Sequence, residues 1–201
     1  MSGLVRYRVD PQASRFTVRA FAGGPLSAVG HNPTFVVRDF RGEVEYDPDE
    51  PGASSLRLVI GAASLAVTDN VSDKDRREIE QTTREQVLET GRYAEISYDC
   101  PASRLTASGP MQLTLAGDLT LHGVTRPQTV SARVYLMGGI LRGQGEASVR
   151  QADFDIRPVS VAGGMLKVKD ELKIAFDIVA RAVPADSPTP HRVSGAEPCI
   201  T

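Results

Sequence analysis

Apolar and polar positions alternate with a period of two along most of this chain. Over residues 15–21, Phe16, Val18 and Ala20 share one face while Thr17 and Arg19 take the other. Over 55–61, Leu56, Leu58 and Ile60 stand against Arg57 and Val59. The scheme repeats through Leu113 and Leu115, Leu119 and Leu121, then Val130, Ala132, Val134 and Leu136, and finally Leu172, Ile174, Phe176 and Ile178. Weaker versions sit at 5–9, 34–40, 42–46, 95–100 and 143–150. Successive side chains of a strand point to opposite faces, so each segment predicts a strand with one apolar and one wetter side. Such half-buried alternation is the mark of antiparallel sheet, since parallel strands read as unbroken apolar runs. Turn chemistry punctuates the strands at Asp47-Pro48 with Pro51-Gly52, at Ala116-Gly117-Asp118 and at Met137-Gly138-Gly139. Many short strands at this spacing predict an all-β sandwich or barrel, and a barrel leaves no exposed edge.

One segment breaks the rhythm. Ser72-Asp73-Lys74-Asp75 resembles a capping box with Asp in place of the usual Glu. The run that follows, 73–89, contains no Gly or Pro and predicts a helix that ends near Gly91. Its apolar stripe of Ile79, Val87 and Leu88 is thin, so the helix is expected to pack outside the barrel with a solvated outer face. The pair Glu80 and Arg84 has the spacing of a helical ion pair. After Val183 the chain turns to Pro-Ala-Asp-Ser-Pro-Thr-Pro-His, which predicts one domain over 1–183 and a disordered tail over 184–201.

Composition narrows the partner. The chain has 201 residues, a net charge of −2, 5% aromatic residues and no Trp. Phosphate binding needs concentrated positive charge and base stacking needs aromatic platforms, so a nucleic-acid partner is disfavoured. No stretch approaches the roughly 20 apolar residues of a transmembrane helix. The opening residues lack the apolar core of a signal peptide, and the expected compartment is the cytoplasm. Cys100 and Cys199 match no zinc or redox spacing, and Cys100 is expected to be reduced.

Candidate chemistry is sparse. None of the Gly-x-Ser-x-Gly, Walker A, Gly-x-Gly-x-x-Gly or His-Glu-x-x-His patterns occurs. Asp69, Asp73 and Asp75 lack the regular alternation of a calcium loop and read as helix capping. His122 lies in a turn and reads as solvated, with no partner spacing for a metal. Asp153 and Asp155 flank Phe154 and read as a solvent-facing pair on a strand. Gly30-His31-Asn32-Pro33 forms a loop where His31 and Asn32 either donate to a ligand's head group at a barrel mouth or satisfy local backbone groups. Arg38, Arg126, Arg142 and Arg150 are candidates for a pyrophosphate, provided that they share a rim.

Four strings, in order, resemble a known family. Tyr7-Arg8-Val9-Asp10 with Ser14 and then Phe16-Thr17-Val18 is similar to the opening of YceI proteins. Arg92-Tyr93-Ala94-Glu95-Ile96-Ser97-Tyr98 resembles that family's strand entry after the helix, with Ala94 in place of Pro. Gly117-Asp118-Leu119-Thr120-Leu121-His122-Gly123-Val124-Thr125-Arg126-Pro127 matches its hairpin most specifically. Ala152-Asp153-Phe154-Asp155-Ile156 resembles a late segment in which Gly usually replaces Asp155. The resemblance implies an eight-stranded antiparallel lipocalin-like barrel that holds a long isoprenoid, such as an isoprenoid quinone or polyprenyl pyrophosphate. It also admits a homodimer.

On that basis the expected lumen residues are Phe16, Val18, Phe35, Val37, Leu58, Ile60, Ile96, Leu113, Leu115, Leu119, Leu121, Val134, Phe154, Ile174 and Phe176. His31 and Asn32 are expected at the mouth, with no metal, no catalytic residue and no cofactor beyond the bound isoprenoid. Two rival readings are a packed structural barrel without ligand and an enzyme acting on a hydrophobic molecule with His31 as acid and base. Medium-sized Leu, Ile and Val suit a hollow lumen and a packed core equally well, so periodicity alone does not choose between them.

Overall fold

The computed structural model describes residues 3–23, 32–109, 111–161 and 166–184, and all but Pro184 of the expected tail lies outside them. The strands in chain order are β1 (Val5–Val9), β2 (Arg15–Arg19), β3 (Ala22–Gly23), β4 (Thr34–Val37), β5 (Phe40–Tyr46), β6 (Ser55–Gly61), β7 (Leu65–Val67), β8 (Glu95–Cys100) and β9 (Leu105–Gly109). They continue as β10 (Gln112–Leu121), β11 (Val124–Met137), β12 (Ile140–Arg150), β13 (Ser160–Val161), β14 (Leu166–Val168) and β15 (Glu171–Ala182). Helix α1 spans Asp73–Thr82 and runs on as a wider turn over Thr83–Val87.

Antiparallel pairing follows the order β1-β5-β6-β8-β10-β11-β12-β15, and Tyr7 opposite Ala182 closes β15 back onto β1. The result is an eight-stranded barrel in which each wall strand has a paired neighbour on both sides. Alternation pays off here as expected: Phe16, Ile60, Leu113, Leu115 and Leu121 are buried inside, while Arg19, Arg57 and Arg133 stay exposed.

The first strands are each broken in two. β1 and β2 share one edge of β15, with a turn over 10–14 between them. Asp10 holds this turn through Oδ1, which accepts from the amides of Gln12 at 3.1 Å and Ala13 at 3.2 Å. The Ser14 hydroxyl donates to the Asp10 carbonyl at 2.6 Å and accepts from Val179 N–H at 2.9 Å. Ser14 thus supplies the ladder bond to β15 that the turn interrupts. The Asp and Ser of the opening motif are therefore a physical device for kinking a barrel strand. β4 with β5, and β6 with β7, break at the same level, where the Gly61 amide donates to the Asp39 carbonyl at 3.0 Å.

The break leaves β7 without a strand on one side, because β8 runs beside β6 and does not pair with β7. Helix α1 fills the gap. Glu80 Oε1 accepts from Val67 N–H at 2.9 Å, and the Arg76 guanidinium donates to the carbonyls of Val67 and Asp69. Ser72 is the N-cap and accepts from Asp75 N–H at 3.1 Å, as the capping pattern predicts. Glu80 also lies 3.8 Å from Arg84, but its main partner is the sheet edge rather than the neighbouring turn. The helix ends at Leu88 rather than beside Gly91, and Glu89 takes the left-handed conformation at φ +44°. The turn is pulled inward because Leu88 is buried in the main core.

Two local expectations are corrected. Ala116-Gly117-Asp118 is not a turn; β10 runs straight through it, with Gly117 opposite Gln128. Gly117 is there for space, because a Cβ on it would stand 2.4 Å from Cζ of Tyr98. Asp153 and Asp155 are not on a strand either, since Gln151–Phe154 form a short 3-10 turn and Asp155 follows at φ +56°. The turn buries Phe154 and Ile156 at the end of the barrel, which leaves both carboxylates outside. By contrast, Met137-Gly138-Gly139 is a tight hairpin turn with both glycines at positive φ, 59° and 76°.

Candidate functional site: an apolar lumen

The inward faces of the barrel enclose a cavity of about 240 Å³. Its wall draws on all eight barrel strands and on Val87 and Leu88 from the helical turn. Along β10 alone it reaches from Leu113 to Leu121, about 26 Å at 3.3 Å per residue, so the space is long and narrow. Three consecutive inward positions on β12, Gly143, Gly145 and Ala147, carry almost no side chain. Gly145 makes room for the Phe176 ring, whose Cζ would lie 2.6 Å from an added Cβ. At Gly143 nothing stands within 4 Å of that position, and this side of the lumen stays open.

Polar groups in the wall are already paired. The Tyr98 hydroxyl accepts from Gly117 N–H at 3.0 Å and lies 2.9 Å from the Leu115 carbonyl and 3.0 Å from that of Gln128. Burial pushes its pKa from 10.0 up to about 12, so it is a neutral donor at physiological pH. Gln151 donates to the Lys169 carbonyl at 2.9 Å. Among the described residues no buried side-chain N or O lacks a partner. A ligand in this lumen meets hydrocarbon on nearly every side.

Of the residues expected in the lumen, Phe16, Val18, Val37, Leu58, Ile60, Ile96, Leu113, Leu115, Leu119, Leu121, Val134, Ile174 and Phe176 line the cavity. Phe35 and Phe154 are buried in the packed core beside it rather than in its wall. The wall also includes Tyr98, Val87, Leu88 and Gly143, which alternation did not single out. Tyr98 could have been found from the parity of Ile96 in β8. Gly143 carries no hydrophobic signal at all.

The polar candidates do not converge. His31 lies outside the described residues. Asn32 is exposed, and its Oδ1 accepts from Ala22 N–H at 2.7 Å. Arg126 and Arg150 stand at the helix end of the barrel, where Arg126 donates to the Asp153 carbonyl and Arg150 to Asp170. Arg142 belongs to the opposite end and is bonded to Asp177 at 2.7 Å. These arginines therefore do not share one rim.

His122 is not the solvated turn residue that its position suggests. It sits 4.4 Å from the Tyr93 ring, its Nε2 is 3.2 Å from Glu89 Oε1, and its side chain is only 10% exposed. It joins the β10–β11 hairpin to the end of the helix. Cys100 is a free, buried thiol, and Cys199 lies outside the described residues. No cluster of metal-ligating side chains occurs among the described residues, and no helix there is long and apolar enough to cross a membrane.

A closed antiparallel barrel of eight strands around an apolar lumen, with one helix against its open strand edge, defines a lipocalin-type barrel. Comparison with known proteins gives the particular kind. The YceI-like domain matches residues 7–180, and the chain belongs to that family. A UPF0312 protein of Ectopseudomonas mendocina is 26% identical over 157 residues, covering 75% of this chain and 76% of the relative. Protein YceI of Escherichia coli O6:H1 is 23% identical over 158 residues, with 75% and 76% covered. Among solved structures, Burkholderia cenocepacia BcnA superposes with a TM-score of 0.68 at 18% identity, covering 85% of this chain and 98% of that one. A polyisoprenoid binding domain from Saccharophagus degradans gives 0.62 at 16% identity, covering 90% and 100%. At these identities the two structures speak for the fold.

Proposed function

We propose that the barrel binds a long-chain isoprenoid lipid in its lumen, an isoprenoid quinone or a polyprenyl pyrophosphate, and carries or stores it without chemical change. The observation that carries this reading is the wall itself: a long, narrow cavity with hydrocarbon side chains and, among the described residues, no buried side-chain N or O left unpaired. The isoprenoid chemistry comes from the Saccharophagus neighbour, whose fold this chain shares. Each buried CH₂ contributes roughly 0.8 kcal/mol, so a prenyl tail binds without directed polar contacts. Ordering of the tail offsets part of that gain. A lumen of this shape suits a linear tail better than a fused ring system.

Purified protein should release an isoprenoid into organic solvent, and native mass spectrometry should show the same mass as a bound adduct. Protein that is always empty and takes up no added ubiquinone or prenyl pyrophosphate would show the packed barrel to be the right reading.

A further inference from the structure

Among the described residues, the exposed large apolar side chains are Leu4, Met111, Leu136, Met137 and Ile140, and all belong to one end of the barrel. Single exposed apolar residues are ordinary on a protein surface; a cluster confined to one rim is not. Met137 is 81% exposed at the tip of the β11–β12 hairpin. It pairs with Ile140 across the turn, and Ile140 pairs with Arg181 of β15. Met111 sits beside β11, where its carbonyl accepts from Val134 N–H at 2.8 Å. Leu4 leads directly into β1, the next strand after β15. The apolar residues therefore span neighbouring strands on one side of the rim.

The hairpin also stands free on its β10 side. β10 and the Met111 carbonyl hold β11 only as far as Val134, so Tyr135–Met137 extend past them by about 10 Å, while β15 flanks the tip on the other side through the Ala182 amide and the Gly139 carbonyl. Behind the tip, outward positions on β1, β11, β12 and β15 carry Arg8, Arg133, Arg142 and Arg181. Arg142 and Arg181 are matched by Asp177 and Asp10, whereas Arg8 and Arg133 have no ion pair among the described residues. The acidic turn with Asp47, Asp49 and Glu50 joins β5 to β6 at the same end, half the barrel from the β11–β12 tip but next to Leu4, because Val5 pairs with Tyr46. The hairpin side of this end is thus apolar and backed by arginines, the β5–β6 side is acidic, and the two meet at β1, where Glu43 stands opposite Arg8.

We infer that the β11–β12 tip, with Met111 beside it, docks into the surface of a phospholipid bilayer that contains anionic lipid. The apolar tip enters the acyl boundary, and Arg8 and Arg133 lie at the level of the phosphates. A second copy of the chain fits this rim less well. The edge of β11 left open at this rim is only Tyr135–Met137, shorter than the strand pairing that would hold a second copy. Docking at this rim goes beyond ligand binding, and it holds whatever the lumen carries. It also puts Leu141, a cavity residue adjacent to Ile140, next to the bilayer.

The absence of Trp from the chain allows a clean test. Met137→Trp introduces a single reporter at the tip, and Glu85→Trp places one on the exposed helix at the far end. With phosphatidylglycerol–phosphatidylethanolamine vesicles, Met137→Trp should shift to the blue and be quenched by brominated acyl chains, while Glu85→Trp should not respond. Met137→Asp combined with Ile140→Asp should weaken vesicle cosedimentation about tenfold or more, with thermal unfolding unchanged. Arg8→Glu with Arg133→Glu should remove the preference over pure phosphatidylcholine.

An unquenched Met137→Trp would overturn the inference, as would equal quenching of both reporters. A blue shift that appears without lipid and tracks a concentration-dependent dimer would assign the rim to a second copy instead. The vesicle assay contains no isoprenoid, so its failure leaves the lumen reading untouched.

Discussion

Gly143→Phe separates a ligand-holding lumen from a core that merely happens to be loose. Gly143 lines the cavity between Leu141 and Gly145, does not require positive φ, and has no atom within 4 Å of an added Cβ. A phenylalanine there turns its ring into free space and buries about 150–250 Å². Filling that space should stabilise the ligand-free protein by about 1.5–3 kcal/mol, and removing a glycine from mid-strand adds to the effect. The same ring displaces about one isoprene unit. Five carbons at ~0.8 kcal/mol each come to about 4 kcal/mol, or roughly a thousandfold in Kd if the rest of the tail does not shift. Sliding of the tail along the lumen reduces this, and about tenfold is the floor we expect. The two effects have opposite signs, which is the useful part of the test. Thermal unfolding of the delipidated protein should rise while ubiquinone uptake, followed by fluorescence competition with a prenyl probe, should fall. Unchanged uptake in a folded Gly143→Phe protein would refute the assignment of the lumen as the ligand site.

Four further outcomes follow from the packing and charge. Tyr98→Phe removes a hydroxyl on which the Gly117 amide depends and should cost about 1–3 kcal/mol in urea unfolding. Tyr98 also makes the protein sensitive to alkali: its pKa is 10.0 when exposed and about 12 in the barrel, so the stability it contributes is whole below pH 10 and is lost as pH rises towards 12. The loss is roughly 3 kcal/mol at most, and Tyr98→Phe should flatten that limb of the pH profile. Gly117→Ala drives a methyl into the Tyr98 ring and should destabilise by about 1–3 kcal/mol, with the loss largely relieved in a Tyr98→Ala background. In acid, hydrogen bonding from Arg142 holds the Asp177 carboxyl below 3.8, and the Ala152 amide, followed by Arg150, does so for Asp170. Their contribution is therefore present above the ordinary aspartate value and is lost as pH falls below it. Melting followed by circular dichroism should be flat from about pH 5 upwards and decline below about pH 4, with a shallower decline in Asp177→Asn.

Much of the barrel is legible before any coordinates. The alternation at Phe16–Val18, Leu56–Ile60, Leu113–Leu121 and Leu172–Ile178 marks which side of each strand turns inward, because the period of a strand is fixed by local stereochemistry. The glycines after Met137 and the serine before Asp73 likewise announce their turn and cap through short-range bonding. What alternation does not carry is the meaning of a residue whose reason lies across the barrel. Gly117 reads as a turn because glycine usually permits one, yet it exists to admit the Tyr98 ring from a strand one position around the wall.

His122 reads as solvated because nothing near it in sequence covers it. Glu89 and Tyr93 do so from the far side of the β10–β11 hairpin. The arginines look like one anion site until the barrel assigns them to opposite ends. The hollow itself is also a tertiary matter. Leucines and valines on inward faces are equally consistent with a filled core, and only the closure of eight strands, with Gly143 and Ala147 facing the gap, decides that room is left. Local periodicity says which way a side chain points. Whether it meets another side chain or an empty space depends on the strand opposite, and that is set by the assembled wall.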